Sequence, residues 1–252
     1  MEVHAHTHTE RKKFTHYLWE FLMLFLAVFC GFMAENFREH IVEHQQEKKY
    51  MVTLLEDLHI DIADMEKLKK NLAAVMARKD SAEKYLRPPI STESTPQYYK
   101  EAWLITSIVT YNYNDRTVDQ LRSSGSYRLI RSKSVTDSLI DYDTRMRGGF
   151  TKNYNVLFES QLKLIDLQND ILDVGVAIKY LDENANLEID SLKANKLWPL
   201  HLLTTDPKIL FRHYNLCMTH TAFIINLQNW IKIMITKATN LMSLIKKEYH
   251  LK

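Results

Sequence analysis

The chain has 252 residues, 46% of them hydrophobic, enough for a sizeable core, and its 33 basic and 31 acidic side chains nearly cancel. That balance leaves no strong positive field for phosphate backbones, which argues against a nucleic-acid partner. Only 5 Gly and 5 Pro occur, in clusters, so long stretches carry no helix breaker and the expected fold class is all-α; the two cysteines, Cys30 and Cys217, make no disulfide framework.

The chain opens with "HAHTHTE", where His4, His6 and His8 alternate in a short tail, residues 1–16, that we place in the cytoplasm. From Tyr17 to Ala34 it reads "YLWEFLMLFLAVFCGFMA", 18 residues with Glu20 as the one charge. As a helix this stretch reaches about 27 Å, close to the ~30 Å hydrocarbon thickness of a bilayer. Residues 17–34 are therefore read as a single transmembrane helix, with Tyr17 and Trp19 at the headgroup level. Phe32 disagrees with the small residues that signal cleavage requires, and Phe29 before Cys30 disagrees with a lipoprotein signal, so the span is expected to be retained. Arg11, Lys12 and Lys13 precede it and only Arg38 falls in the eight residues after it. The positive-inside rule then puts the amino terminus in the cytoplasm and the bulk outside. Glu20 lies in the first turn of the span, and is a candidate contact for a partner's transmembrane helix.

No Gly or Pro interrupts Phe32 to Arg87, and residues 35–87 are expected to continue the span as a long juxtamembrane helix. Met51, Leu55, Leu58, Ile62, Met65, Leu72 and Met76 form a 3-4 seam along it; carried backward, the seam takes in Ile41 and His44. "REHIVEH" holds His40, Glu43 and His44 in the H-x-x-E-H spacing of one class of zinc peptidases. That chemistry also needs a distant third ligand and a surrounding catalytic domain, so a charged helix face is preferred, and no catalytic, metal or cofactor residue is assigned.

"PPISTESTP" within residues 88–96 is the linker. Residues 97–252 are expected to form a helical domain packing on the juxtamembrane helix. Within it, Gln97–Tyr113 is read as helix with Tyr99, Ala102, Trp103 and Thr106 at helical spacing, either core or a ligand-stacking surface. Two short helices follow, one from Asp115 to Gly125 and one opening near Ser132 or Ser134. "RGGF", Arg147 to Phe150, is read as a tight turn. Phe150–Val174 is a second long helix with Phe150, Tyr154, Leu157, Leu164 and Ile171 on one stripe, closed by Gly175. After an acidic connection, Thr205 is the candidate cap of a last helix with Pro207 in its first turn. Ile224, Leu227, Ile231, Met234, Ala238, Leu241 and Ile245 make a 3-4 seam suited to pairing with the first long helix. Asn226, Gln228, Asn229 and Lys232 argue against a second span there.

The stretch "HTHTERKKFTHYLWEFLMLFLAVFCGFMAEN", with "LRSSGSYRLIRSKSVTDSLIDYD" farther on, resembles a family of uncharacterised single-span membrane proteins of Bacteroidota. The resemblance covers the first forty or so residues well and the middle diffusely. It implies a bacterial inner-membrane protein with a periplasmic helical domain, and implies no activity. The leading expectation is a membrane-anchored, non-enzymatic scaffold or regulatory subunit of a cell-envelope complex. It would contact lipid and a protein partner or a second copy through its span and seams. The alternative is a periplasmic sensor with a ligand pocket between helices; with 16 residues expected ahead of the span, it would signal laterally. A zinc peptidase using His40, Glu43 and His44 is the remote third reading.

Overall fold

The computed structural model describes residues 14–106, 110–183 and 185–251. Its elements are helical: α1 Phe14–Met76, α2 Lys79–Leu86, α3 Thr95–Ile105, α4 Arg116–Ser123, α5 Lys133–Arg145, α6 Thr151–Asn169, α7 Val174–Tyr180, α8 Ile189–Ala194 and α9 Pro207–Tyr249. Among the described residues there is no strand, only an isolated bridge between Leu181 and Leu187. The fold is all-α. The chain divides into two compact units, one ending at Tyr50 and the other beginning at Met51.

In the first unit every residue from Phe14 to Val42 is exposed. The seam does not extend back as expected: Ile41 is 45% exposed and His44 is exposed, whereas Glu47 and Tyr50 are buried. A 3-4 repeat fixes an angular direction only where partner helices surround it, and the burial begins one turn later than the apolar pattern.

The second unit is built on two long amphipathic stripes. On α1, Met51, Leu55, Leu58, Met65 and Leu72 are buried as the periodicity requires, whereas the seam residues Ile62 and Met76 are only half-buried. Leu54, Asp57, Asp61 and Leu68 are buried as well, so the covered face is wider than a coiled-coil seam. On α9 all seven seam residues, Ile224 to Ile245, are at most 2% exposed. The two stripes approach each other at one point shown by a small cavity bordered by Leu72 and Val75 from α1 and by His220 and Ile224 from α9. Each fully buried Leu or Ile contributes about 1.5–3 kcal/mol of transfer free energy, which makes these stripes the principal source of stability.

Several boundaries differ from the sequence reading. The helix expected to run to residue 87 breaks after Met76, with no Gly or Pro to force it. The break is tertiary: the Arg78 guanidinium donates from Nε to Glu101 at 3.1 Å, and Ser81 Oγ donates to the same buried carboxylate at 2.8 Å. That anchor folds α2 back so that Ala82 and Leu86 join the cluster holding Tyr98, Tyr99 and Ala102. The helix expected over 97–113 ends at Ile105, and residues 110–115 form an irregular strap rather than helix. Gly125 adopts φ 67 after α4, the left-handed geometry a helix end favours.

"RGGF" is not a turn. Met146–Phe150 is a single π-helical turn joining α5 to α6 without reversing the chain. Its loosened carbonyls are satisfied by side chains, Thr151 Oγ1 donating to Met146 O at 2.7 Å and Asn153 Nδ2 to Gly149 O at 2.8 Å. Gly149 lies against the Trp230 indole of α9, where a Cβ would come within 2.3 to 2.9 Å of three ring atoms. The glycine is there for close approach between α9 and the π-turn. Gly175 likewise does not close a helix; it lies inside α7, whose cap is Asp173 accepting from Val176 N at 3.1 Å. The cap of α9 is Asp206, not Thr205: its carboxylate accepts from Lys208 N at 2.9 Å. Pro207 occupies the first helical position, so the residue immediately before it is the cap.

Candidate functional site

Three features stand out from the helical framework, and each is traceable to particular residues. The first is the uncovered apolar stretch. Phe14–Met76 is a helix long and apolar enough to cross a membrane, and none of its most apolar 18-residue window is buried. Phe21, Phe25 and Phe29, four apart, stack with centroids 6.3 and 6.0 Å apart along one face. Glu20 pairs with His16 on the preceding turn, Nε2 to Oε1 3.0 Å. His4, His6 and His8 lie outside the described residues. The H-x-x-E-H set does not converge: His44 Nδ1 turns toward Glu47 at 3.1 Å, while His40 Nδ1 is 3.9 Å from Glu43. Among the described residues no group of three or more His, Cys, Asp or Glu comes together to hold a metal ion.

The second feature is a buried polar network where the strap 110–115 crosses α1. Asp57 accepts from Asn114 Nδ2 at 3.0 Å and from the Thr117 backbone N–H at 2.9 Å, and Arg116 pairs with it at 2.8 Å. One turn on, Asp61 accepts from Asn114 N at 2.9 Å and from the Tyr142 hydroxyl at 2.8 Å. Burial pushes Asp61 up to about 7, against the two hydrogen bonds that favour its charged form; Asp57 and Asp64 nearby push it up further. Burial and Asp61 raise the Tyr142 phenol too. Asp143, on α5, gathers Tyr113 Oη at 3.1 Å, Arg147 Nε at 2.9 Å and the Arg122 guanidinium. These carboxylates are structural hooks: Asp57 and Asp61 tie the strap and α5 to α1, and Asp143 ties α4 and the strap to α5. Sequence reasoning missed them because Asp57 and Asp61 sit between apolar seam residues and look like the solvated flank of the helix. Their i, i+4 spacing on a buried face was the available signal.

The third feature is a pair of clefts. One, of about 380 Å³, is lined by Trp103, Thr106, Ile165, Gln168, Asn169, Leu172 and Val174. Of the aromatic residues expected on α3, Tyr98 and Tyr99 are fully buried core, and Trp103 is the one that borders a cleft. Behind it Gln168 Nε2 donates to Ala102 O at 2.7 Å and faces His213 Nε2 at 3.3 Å. A donor on that side fixes the neutral ring with its proton on Nδ1, toward Tyr98 Oη 2.7 Å away. Burial pushes His213 down to about 4 and raises the neighbouring Cys217 thiol, which keeps both side chains neutral near pH 7. His220, held by Ser160 Oγ at 2.5 Å, is also pushed down to about 4 by burial. The other cleft, of about 330 Å³, lies between α1 and the strap and is lined by Asp64, Lys67, Leu68, Asn71, Thr110, Tyr111 and Asn112.

Fold and site together define an all-helical protein with one helix long and apolar enough to span a membrane. No protein-family model matches the chain, and no curated protein or solved structure matches it either.

Proposed function

We propose that the chain is a single-span protein of a bacterial inner membrane, anchored through residues 17–34, with its amino terminus cytoplasmic and its helical bulk periplasmic. In this reading it is a non-enzymatic scaffold or regulatory subunit of a cell-envelope complex, within the family of Bacteroidota membrane proteins its amino-terminal stretch resembles. The observation that carries the reading is the exposure of Phe21 to Phe32: Phe21 is 64% exposed, Met23 66%, Leu24 69% and Phe32 64%. An apolar surface this continuous is stable in lipid and a liability in water. Residues 17–34 carry a single carboxylate, Glu20, and its place in the first turn with His16 beside it suits the interface. An anchor that keeps the chain in the plane of the membrane favours lateral association with other membrane proteins.

The test is alkaline extraction of membranes from cells expressing the full chain, combined with crosslinking in intact membranes and identification of what is attached. Retention in the pellet with a reproducible crosslinked partner or second copy supports the reading. Release of the chain into the soluble fraction sinks the anchor; recovery from mild detergent as an unaccompanied monomer sinks the assembly role.

A further inference from the structure

The strap 110–115 is pinned on both sides of the cleft it closes. Toward its far end Asn114 is tied to Asp57 and Asp61, and toward its near end the Tyr111 backbone N–H donates to Tyr154 Oη at 3.2 Å. The Tyr111 ring rests edge-on against Phe150 at a centroid distance of 4.8 Å. The cleft is thus held open by the fold rather than formed on demand, which lowers the ordering cost of binding.

Its walls carry exposed polar side chains of both charges. Asp64, Lys67 and Asn71 come from one side of α1, Thr110 and Asn112 from the strap, and the buried Leu68 supplies apolar surface between them. Among the described residues none of those five polar side chains makes a hydrogen bond or ion pair. The contrast with the same helix is direct. Glu66 and Lys69, three apart, pair at 3.0 Å; Asp64 and Lys67, also three apart, do not pair with each other. Tyr111 is 8% exposed, and its hydroxyl is buried with no hydrogen-bond partner.

We propose that this cleft binds a small zwitterion of the amino-acid type, its ammonium group on Asp64 and its carboxylate on Lys67, with Asn71, Thr110 and Asn112 donating and accepting around it. Size and charge set the class. A cleft of about 330 Å³ has the size of a small-molecule site rather than of a surface for a macromolecule. One carboxylate and one ammonium in the lining complement one charge of each sign; a phosphate would face Asp64, and a polyamine would face Lys67. The scarcity of apolar surface in the lining disfavours large hydrophobic side chains. The site goes beyond membrane anchoring and does not depend on it, because both halves of the cleft lie in the unit that begins at Met51.

The experiment is calorimetric titration of the full chain in mild detergent with glycine, serine, glutamine and glutamate. Matching titrations use their N-acetyl and amide derivatives, and glucose as an uncharged polyol. At least one free amino acid is expected to bind saturably in the millimolar range or tighter. Its N-acetyl and amide forms should each bind about tenfold or more weakly, since each loses one charge-assisted contact. Asp64→Asn and Lys67→Met, both at exposed positions, should leave the melting temperature of the unliganded protein unchanged and weaken amino-acid binding about tenfold. No heat from any free amino acid, equal binding of the blocked derivatives or glucose, or undiminished binding by both variants would each overturn the proposal.

Discussion

Substituting Gly149 tests whether close approach of α9 to the π-turn governs this part of the fold. The added Cβ would meet Trp230 Cη2 at 2.3 Å, Cζ3 at 2.6 Å and Cζ2 at 2.9 Å. Overpacking in a well-filled region costs about 1–3 kcal/mol. The upper part of that range applies because three atoms of one rigid ring are met at once. Against it stands the gain of about 1 kcal/mol from replacing a helical glycine with alanine. Gly149→Ala should therefore destabilise by about 1–2 kcal/mol, lowering the melting temperature by roughly 2–8 °C for a chain of this size. Gly148 is the internal control: a Cβ there meets nothing within 4 Å. Gly148→Ala should gain about 0.5–1 kcal/mol from propensity alone. The assay is thermal unfolding of both variants in the same detergent, repeated in a Trp230→Leu background. There Gly149→Ala should become neutral or stabilising, a coupling of at least about 1 kcal/mol. If the two alanine variants shift stability in the same direction, or the Trp230→Leu background leaves the Gly149 effect unchanged, the packing argument is refuted.

Stability should follow pH through buried groups of opposite sign. Asp61 is raised to about 7, so the native state keeps a proton that the unfolded chain releases near pH 4, and its contribution is lost as pH rises toward 7. His213 and His220 are lowered to about 4, so the unfolded chain gains protons below about pH 6.5 and stability falls as pH drops through that window. Urea midpoints should decline from pH 7 to pH 4 because two histidines outweigh one carboxylate. Asp61→Asn should steepen the decline and His220→Gln should flatten it; an unchanged slope in both would refute the assignment. Asp206→Ala should cost about 1 kcal/mol in urea unfolding and Thr205→Ala close to nothing, the reverse order refuting the cap. Leu26→Arg, near the middle of the apolar stretch, carries an insertion cost of about 2.5–3.5 kcal/mol. It should shift the chain from the membrane pellet to the soluble or degraded fraction; unaltered pelleting would count against the span.

What the sequence determined by itself was everything carried by local periodicity. The apolar run at Tyr17 to Ala34, the absence of breakers, the 3-4 seam from Ile224 to Ile245 and the turn at Gly125 are encoded in residues within a few positions of one another. Their structural consequences follow with little help from the rest of the chain. The buried α9 seam and the left-handed Gly125 agree with that reading. Tertiary structure decided the features whose partners are far apart in sequence. Arg78 and Glu101 break a helix that has no breaker, and Trp230 gives Gly149 its purpose across some eighty residues. Asp57 and Asp61 became hooks only because Asn114 and Thr117 arrive beside them. The polar cleft arises in the same way. Asp64 and Lys67 are an ordinary helix face until the strap at Thr110 to Asn112 lies opposite, and that juxtaposition depends on where the core folds the chain rather than on any nearby residue.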